Sequence, residues 1–253
     1  VFLEGIPFPS AVAVGLDGLW LGAPPNLLFV PDRNKDDKAD VDDIEVRLTG
    51  WGIRDRHEVL NSLHWGPDGW IYGAHGSTCT ADIQGIKFLG QAIWRYHPST
   101  KRFEVFAEGG GNTWCIDFDS NGRTFSGTNY GNTRGVHYPQ GGCFIKSWAK
   151  HGPLMNPHAF GFYQHMAHEG FKPRFPQSMI IYEGGALPDY EKHVIAGMAL
   201  VNRVQASQLY TDTSTFRTVD TPPLVTTSDR WFRVVDTKVG PDGSVYFAVS
   251  YTH

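Results

Sequence analysis

Apolar and polar positions along this chain alternate in short runs rather than in long helical stripes. Leu19-Trp20-Leu21, Trp70-Ile71-Tyr72, Arg123-Thr124-Phe125 and Ser244-Val245-Tyr246-Phe247 each follow directly on an Asp-Gly or Asn-Gly pair, at Gly18, Gly69, Gly122 and Gly243. Such pairs favour the positive-φ turns of tight hairpins, so each predicts a strand, a turn and a second strand. The turn glycines lie 51, 53 and 121 residues apart. The last gap is close to two repeats and predicts one more unit with a disguised turn. Its strands would run from Phe175-Pro176-Gln177 through Ile180-Ile181-Tyr182, and along His193-Val194-Ile195-Ala196. A period of about 40–50 residues built from short strands is the signature of a β-propeller. A β-sandwich, the rival all-β architecture, turns about every 8–12 residues and needs no long period. The chain is therefore read as all-β, a single β-propeller domain over residues 1–253, and as a fragment of a longer protein.

Composition agrees. The 253 residues include 29 Gly, 16 Pro and 8 Trp, with 13% aromatics, which suits many short strands joined by many turns. With 22 basic and 26 acidic side chains and no Lys/Arg block, the chain lacks the footprint of a nucleic-acid binder. No stretch approaches the roughly 18–20 apolar residues of a membrane-spanning helix. Cys79, Cys115 and Cys143 leave two arrangements open, a Cys115–Cys143 bridge or three buried thiols. Three long irregular stretches interrupt the repeat, at 32–43, 128–168 and 183–192; such loops in compact domains are usually either functional or disordered, and the second, dense in Gly, His, Asn and aromatics, suits an ordered lining.

The first stretch spaces oxygen side chains as a calcium loop does: Asp32, Asn34, Asp36, Asp40 and Asp43 stand at positions 1, 3, 5, 9 and 12. Asp37 occupies the place of the usual turn glycine, and Asp43 that of the bidentate Glu. The plain alternative is a solvated acidic loop. Of the eleven histidines several sit next to turns or at strand ends; His57, His64, His75, His151 and His158 stand out. Each is either a general base or metal ligand, or a hydrogen-bonded loop residue. Arg230 and Arg233 precede the last Gly-Pro-Asp-Gly and suit a carboxylate-rich anion if both face one cavity. Gly109-Gly110-Gly111-Asn112 is no phosphate loop; it suits a tight turn or a close backbone approach.

Longer motifs carry a resemblance. Gly66-Pro67-Asp68-Gly69-Trp70-Ile71-Tyr72-Gly73-Ala74-His75-Gly76, Trp94-Arg95-Tyr96-His97-Pro98, Lys150-His151-Gly152-Pro153, Asn156-Pro157-His158-Ala159, Tyr182-Glu183-Gly184-Gly185 and Asp229-Arg230-Trp231-Phe232-Arg233 resemble the membrane-bound dehydrogenase propellers abundant in Planctomycetes. That family is similar to the glucose/sorbosone dehydrogenases, six-bladed propellers using pyrroloquinoline quinone (PQQ) with Ca²⁺. The resemblance implies a sugar or alcohol dehydrogenase, periplasmic or secreted, with a cytochrome c domain or protein as electron acceptor; no C-x-x-C-H motif occurs here. It implies that His57 is the catalytic base and that Asn112, Arg230 and Arg233 hold the quinone. His75, Asn129 and His158 would line the substrate side. Gly111 stands where the family has Arg, and no Lys occurs near Asn202-Arg203. Two other readings stand beside it: a non-catalytic module stacking carbohydrate or a protein partner on Trp114, Tyr130, Trp148 and Phe160, and a glycan hydrolase or lyase with a carboxylate or Tyr/His pair that sequence does not locate.

Overall fold

The computed structural model describes residues 2–57, 59–146, 159, 161–174 and 176–250. The chain forms an all-β propeller of successive sheets. Blade 1 is a meander of β1 (Ala11–Val14), β2 (Gly18–Ala23), β3 (Asn26–Pro31) and β4 (Glu45–Thr49). Blade 2 contains β5 (Asn61–Trp65) and β6 (Ile71–His75), an inserted hairpin of β7 (Thr80–Ile83) and β8 (Ile86–Leu89), then β9 (Ala92–His97) and β10 (Arg102–Gly110). Blade 3 holds β11 (Asp117–Phe118), β12 (Thr124–Ser126) and β13 (Val136–Tyr138), after which β14 (Cys143–Lys146) runs back parallel to β10. In blade 4, β15 (Ala167–Glu169) lies parallel to β19 and flanks the meander β16 (Pro176–Tyr182), β17 (His193–Met198), β18 (Arg203–Asp212), β19 (Thr215–Asp220), with β20 (Val225–Thr226) on β18. Blade 5 shows β21 (Val234–Val239) and β22 (Val245–Val249).

Blade 4 is the unit with the disguised turn. Its first two strands pair from Tyr182↔His193 to Pro176↔Met198, but the connection runs from 183 to 192 through a short 3-10 turn, Pro188–Tyr190, in place of an Asp-Gly hairpin. The overt turns are built alike. Gly69, Gly122 and Gly243 take φ of 79, 74 and 77°. Their N–H groups reach the carbonyls of Gly66, Asp119 and Gly240. Asp68, Asp119 and Asp242 accept backbone N–H groups from inside each turn. In the two Gly-Pro-Asp-Gly units a tyrosine hydroxyl, Tyr72 or Tyr246, also closes onto the turn aspartate. The first turn differs: Leu16 and Asp17 carry the positive φ, and Gly18 is needed because a Cβ would stand 2.6 Å from the Val30 carbonyl.

The blades pack through aromatic cores. Trp20, Trp51 and Trp94 fill the space between blades 1 and 2, with Trp51 and Trp94 5.0 Å apart. Tyr72 against Phe118 joins blade 2 to blade 3. Cys115, Phe125, Met179 and Phe216 join blade 3 to blade 4, and Ile180, Tyr182, Ile195 and Val234 join blade 4 to blade 5. First strands of neighbouring blades contact one another, β1 with β5, β11 with β16 and β16 with β21. All three cysteines are buried free thiols, so the bridge is not formed. Among the described residues the irregular stretch 128–168 contains β13, β14 and the start of β15, which sequence pattern did not show. Lys150-His151-Gly152-Pro153 and Asn156-Pro157-His158 of the resemblance lie outside the described residues, as do Trp148 and Phe160.

Candidate functional site

Chain direction sorts the predicted residues into two ends. The first strand of each blade runs toward its tight turn, so the blade-to-blade connections gather at the opposite end, here called the entry end. His57, Asn112, Arg230 and Arg233 all precede a first strand, at β5, β11 and β21, and lie at this end. The Asp32–Asp43 loop joins β3 to β4 at the turn end, where the Asp32 N–H donates to the Asp17 carbonyl. The proposed base and the proposed cation loop are therefore on opposite faces of the propeller.

At the entry end, one chain of contacts links four connections, β4–β5, β6–β7, β10–β11 and β12–β13. His57 has 96% of its side chain exposed, and its Nδ1 is 3.2 Å from Asp55 Oδ1. Asp55 also accepts the His57 backbone N–H and the Thr78 hydroxyl, at 3.1 and 3.0 Å. Burial pushes the Asp55 carboxyl up, but these three hydrogen bonds and the nearby imidazole outweigh it and leave the group below its ordinary value. A carboxylate on Nδ1 fixes the ring and leaves Nε2 facing solvent, which is the geometry of a positioned base. Next to Thr78, the Ser77 N–H donates to Asn112 Oδ1, and the Asn112 N–H donates to Asn129 Oδ1. Asp55 and Ser77-Thr78 belong to this candidate site and were missed by sequence reasoning; the only signal was Asp55 two places before His57.

A second group holds the arginines. Asn202 Nδ2 donates to the carbonyls of Asp229 and Phe232, clamping the Arg230 segment to the β17–β18 turn. Arg233 Nη1 donates to the Ala199 carbonyl at 2.7 Å. Arg230 is exposed.

The glycine run serves the chain itself. Gly109 and Gly110 take φ of 96 and 101°, and a Cβ on Gly109 would lie 2.1 Å from the Phe144 carbonyl oxygen. A Cβ on Gly111 would stand 2.1 Å from Thr128 Oγ1 and 2.2 Å from Asn129 Oδ1. A side chain at position 111 would force Thr128 and Asn129 to shift. His75 faces inward instead of lining the substrate side. It is fully buried, its ring packs 4.8 Å from Phe88, and desolvation drives its basicity down to about 3. Asn129 is buried and spent on Asn112.

Two cofactor fits follow. Two guanidiniums and an amide at one end match an anionic quinone in chemistry: Arg230 is exposed, and Arg233 retains donors beyond the one on Ala199. The oxygens of the Asp32–Asp43 loop are engaged within the loop itself. Asp32 accepts the N–H groups of Asp36 and Asp37, Asn34 accepts that of Asp36, and Asp36 accepts that of Lys38. Asp43 pairs with Arg33 at 3.1 Å, and Asp40 makes no side-chain cap on the 3-10 turn Val41–Asp43. Asp37 does adopt φ of 60° at the turn position. Among the described residues no three His, Cys, Asp or Glu side chains converge as a metal centre requires.

Solved structures share this architecture. The PQQ-bound aldose sugar dehydrogenase from Streptomyces coelicolor is similar with a TM-score of 0.58 at 15% identity, over 92% of this chain and 73% of that one. The apo form of the soluble aldose sugar dehydrogenase from Escherichia coli is similar with a TM-score of 0.50 at 12% identity, over 96% and 93%. A luciferin-regenerating enzyme scores 0.50 at 10% identity, over 92% and 68%, so the fold serves more than one chemistry. No curated protein matches the sequence significantly. The model of the domain of unknown function DUF7133 matches residues 1–253, and the chain belongs to that family.

Proposed function

We propose that this propeller is a quinoprotein-like oxidoreductase that oxidises a sugar or alcohol hydroxyl at the entry end. The observation that supports the reading is the Asp55–His57 pair, an exposed imidazole oriented by a carboxylate. It stands at the same end as two arginines and Asn112, on a fold shared with sugar dehydrogenases. His57 Nε2 takes the hydroxyl proton, and Asp55 stabilises the imidazolium that forms. Arg230, Arg233 and Asn112 would hold PQQ, which when bound supplies the hydride acceptor. Thr78 and Ser77 keep Asp55 and Asn112 in register across the connections of blades 2 and 3. We place the work outside the cytoplasm, with a cytochrome c as electron acceptor.

The test is reconstitution with PQQ, calorimetric titration and dye-linked oxidation of sugars and alcohols. His57→Ala should lower turnover by about 10²–10⁴-fold with circular dichroism unchanged. Asp55→Asn should lower kcat more than it raises KM. Full activity in His57→Ala removes the base. No quinone binding by the folded protein removes the oxidoreductase reading and favours a binding module, to which the closed space at Gly111 already lends support.

A further inference from the structure

A cavity at the turn end lies apart from the site described above. It has a volume of about 650 Å³ and opens between the residues before β1, the β1–β2 turn and the loop that follows β3. Pockets of roughly 300–1,000 Å³ hold small organic molecules. Its apolar surface comes from Phe2, Leu3, Val14 and Leu19. Leu3 also packs on the cluster of Leu21, Ala23 and Leu28, so the cavity continues an apolar cluster of blade 1. Val14 stands on β1 beside this surface and is 76% exposed. The walls are tied to one another: the Ala39 N–H donates to the Phe2 carbonyl at 2.8 Å, and the Asp32 N–H to the Asp17 carbonyl at 3.1 Å.

The charged lining is one-sided. Asp17, Asp32 and Asp37 bring three carboxylates, against one ammonium from Lys35. Asp32 is held in place by the N–H groups of Asp36 and Asp37, both at 3.2 Å. Asp17, Lys35 and Asp37 are set by the backbone, with φ of 55, 59 and 60° in the left-handed region. Among the described residues no three carboxylates converge as a metal centre requires. A primary ammonium demands less. Its three N–H donors point apart, and each can reach a separate carboxylate that already accepts a backbone N–H, since a carboxylate offers about four acceptor sites. Surplus negative charge at the mouth of an apolar-walled cleft also concentrates cations from solution. The complement of this surface is an apolar body that carries a positive charge.

We propose that this cavity binds a small organic cation, an ammonium on an apolar body, with the body against Leu3, Val14 and Leu19 and the charge among Asp17, Asp32 and Asp37. The cavity lies at the end opposite His57, so its failure leaves the oxidoreductase reading untouched.

The probe is 2-phenylethylamine, titrated into the whole chain and followed by the methyl resonances of Leu3, Val14 and Leu19. Its neutral and anionic counterparts are 2-phenylethanol and 3-phenylpropionate. The amine should shift these methyls saturably, with a Kd of about 1–10 mM. The alcohol should bind at least about threefold more weakly and the acid more weakly still. Raising the salt from about 0.02 M to about 0.5 M should weaken the amine severalfold and leave the alcohol unchanged. Asp17→Asn with Asp37→Asn keeps both left-handed turns, which Asn tolerates, and should lower amine affinity by about three- to tenfold. Lys35→Asn removes the competing cation and should raise it by about two- to fivefold. Amine shifts absent at these methyls, equal binding of amine and alcohol, or unchanged amine affinity in the double variant overturns the proposal. Should the double variant fail to fold, Lys35→Asn still decides, because Lys35 is exposed: amine binding that does not tighten sinks the charge pairing.

Discussion

Among single residues, Asp117 is the one whose chemistry most departs from its sequence appearance. In the linear chain it is an ordinary acid before a turn; in the fold it sits against His64 and Ile181 with only 16% of its side chain exposed. A carboxyl raised from 3.8 to about 6 is favoured in its protonated form, so the unfolded chain releases its proton first as pH rises. Stability is then unaffected below about 4, declines between 4 and 6, and carries the whole cost above 6, on the order of 3 kcal/mol at most. Asp117→Asn should accordingly raise the melting temperature at pH 7 and leave it unchanged at pH 3.5. Thermal unfolding at the two pH values checks this, and a variant less stable at pH 7 contradicts it. The same logic separates the histidines. His57, exposed on Asp55, was legible as a candidate base; His75 was read beside it, yet lies sealed under Phe88, because only packing distinguishes a strand-end histidine that faces out from one that faces in.

At the scale of elements, the tight turns were readable because their chemistry is local. Asp-Gly and Asn-Gly specify the hairpin without help from distant residues, and three of the four overt turns share one hydrogen-bond pattern. The glycine run before Asn112 was ambiguous for the opposite reason. Its requirement comes from Phe144 on β14 and from the Thr128–Asn129 loop, partners far along the chain. Gly109→Ala should therefore destabilise by more than about 3 kcal/mol, since the new Cβ meets backbone at a φ that disfavours any side chain. Urea unfolding measures it, and a cost under about 1 kcal/mol would show that β10 and β14 slide apart freely. The 32–43 loop carries calcium-loop spacing, but its oxygens turn onto the loop's own N–H groups. Spacing fixes which oxygens are available and does not fix where they point.

For the whole molecule, blade-to-blade ties matter more than any single sheet. Arg134, in the β12–β13 connection, is fully buried and gives both oxygens of Asp220 a bond at 2.9 Å, with Ser207 and the Phe171 carbonyl completing the clamp of blade 3 on blade 4. His168 stands on the same carboxylate at 3.8 Å. Removing one partner leaves the other charge buried alone, so Arg134→Ala should cost about 3–5 kcal/mol, whereas the paired change Arg134→Leu with Asp220→Leu should cost less. Equal losses would show that the clamp acts through packing instead of charge. Nothing in the sequence paired Arg134 with Asp220, because 86 residues separate them.

By itself the sequence determined the strand-and-turn units, their period and hence the all-β propeller, because these follow from backbone conformation and short-range hydrogen bonding. It also named the residues at the entry end, since position relative to each repeat assigns them to one face. The tertiary structure alone decided which of those residues touch: Asp55 with His57, Ser77 with Asn112, His64 with Asp117, while the arginines stand on a separate clamp. It likewise decided that the thiols stay free, that His75 is sealed and that the acidic loop closes on itself. Side-chain direction, burial and proton affinity depend on partners contributed by other blades, and a linear pattern does not contain them.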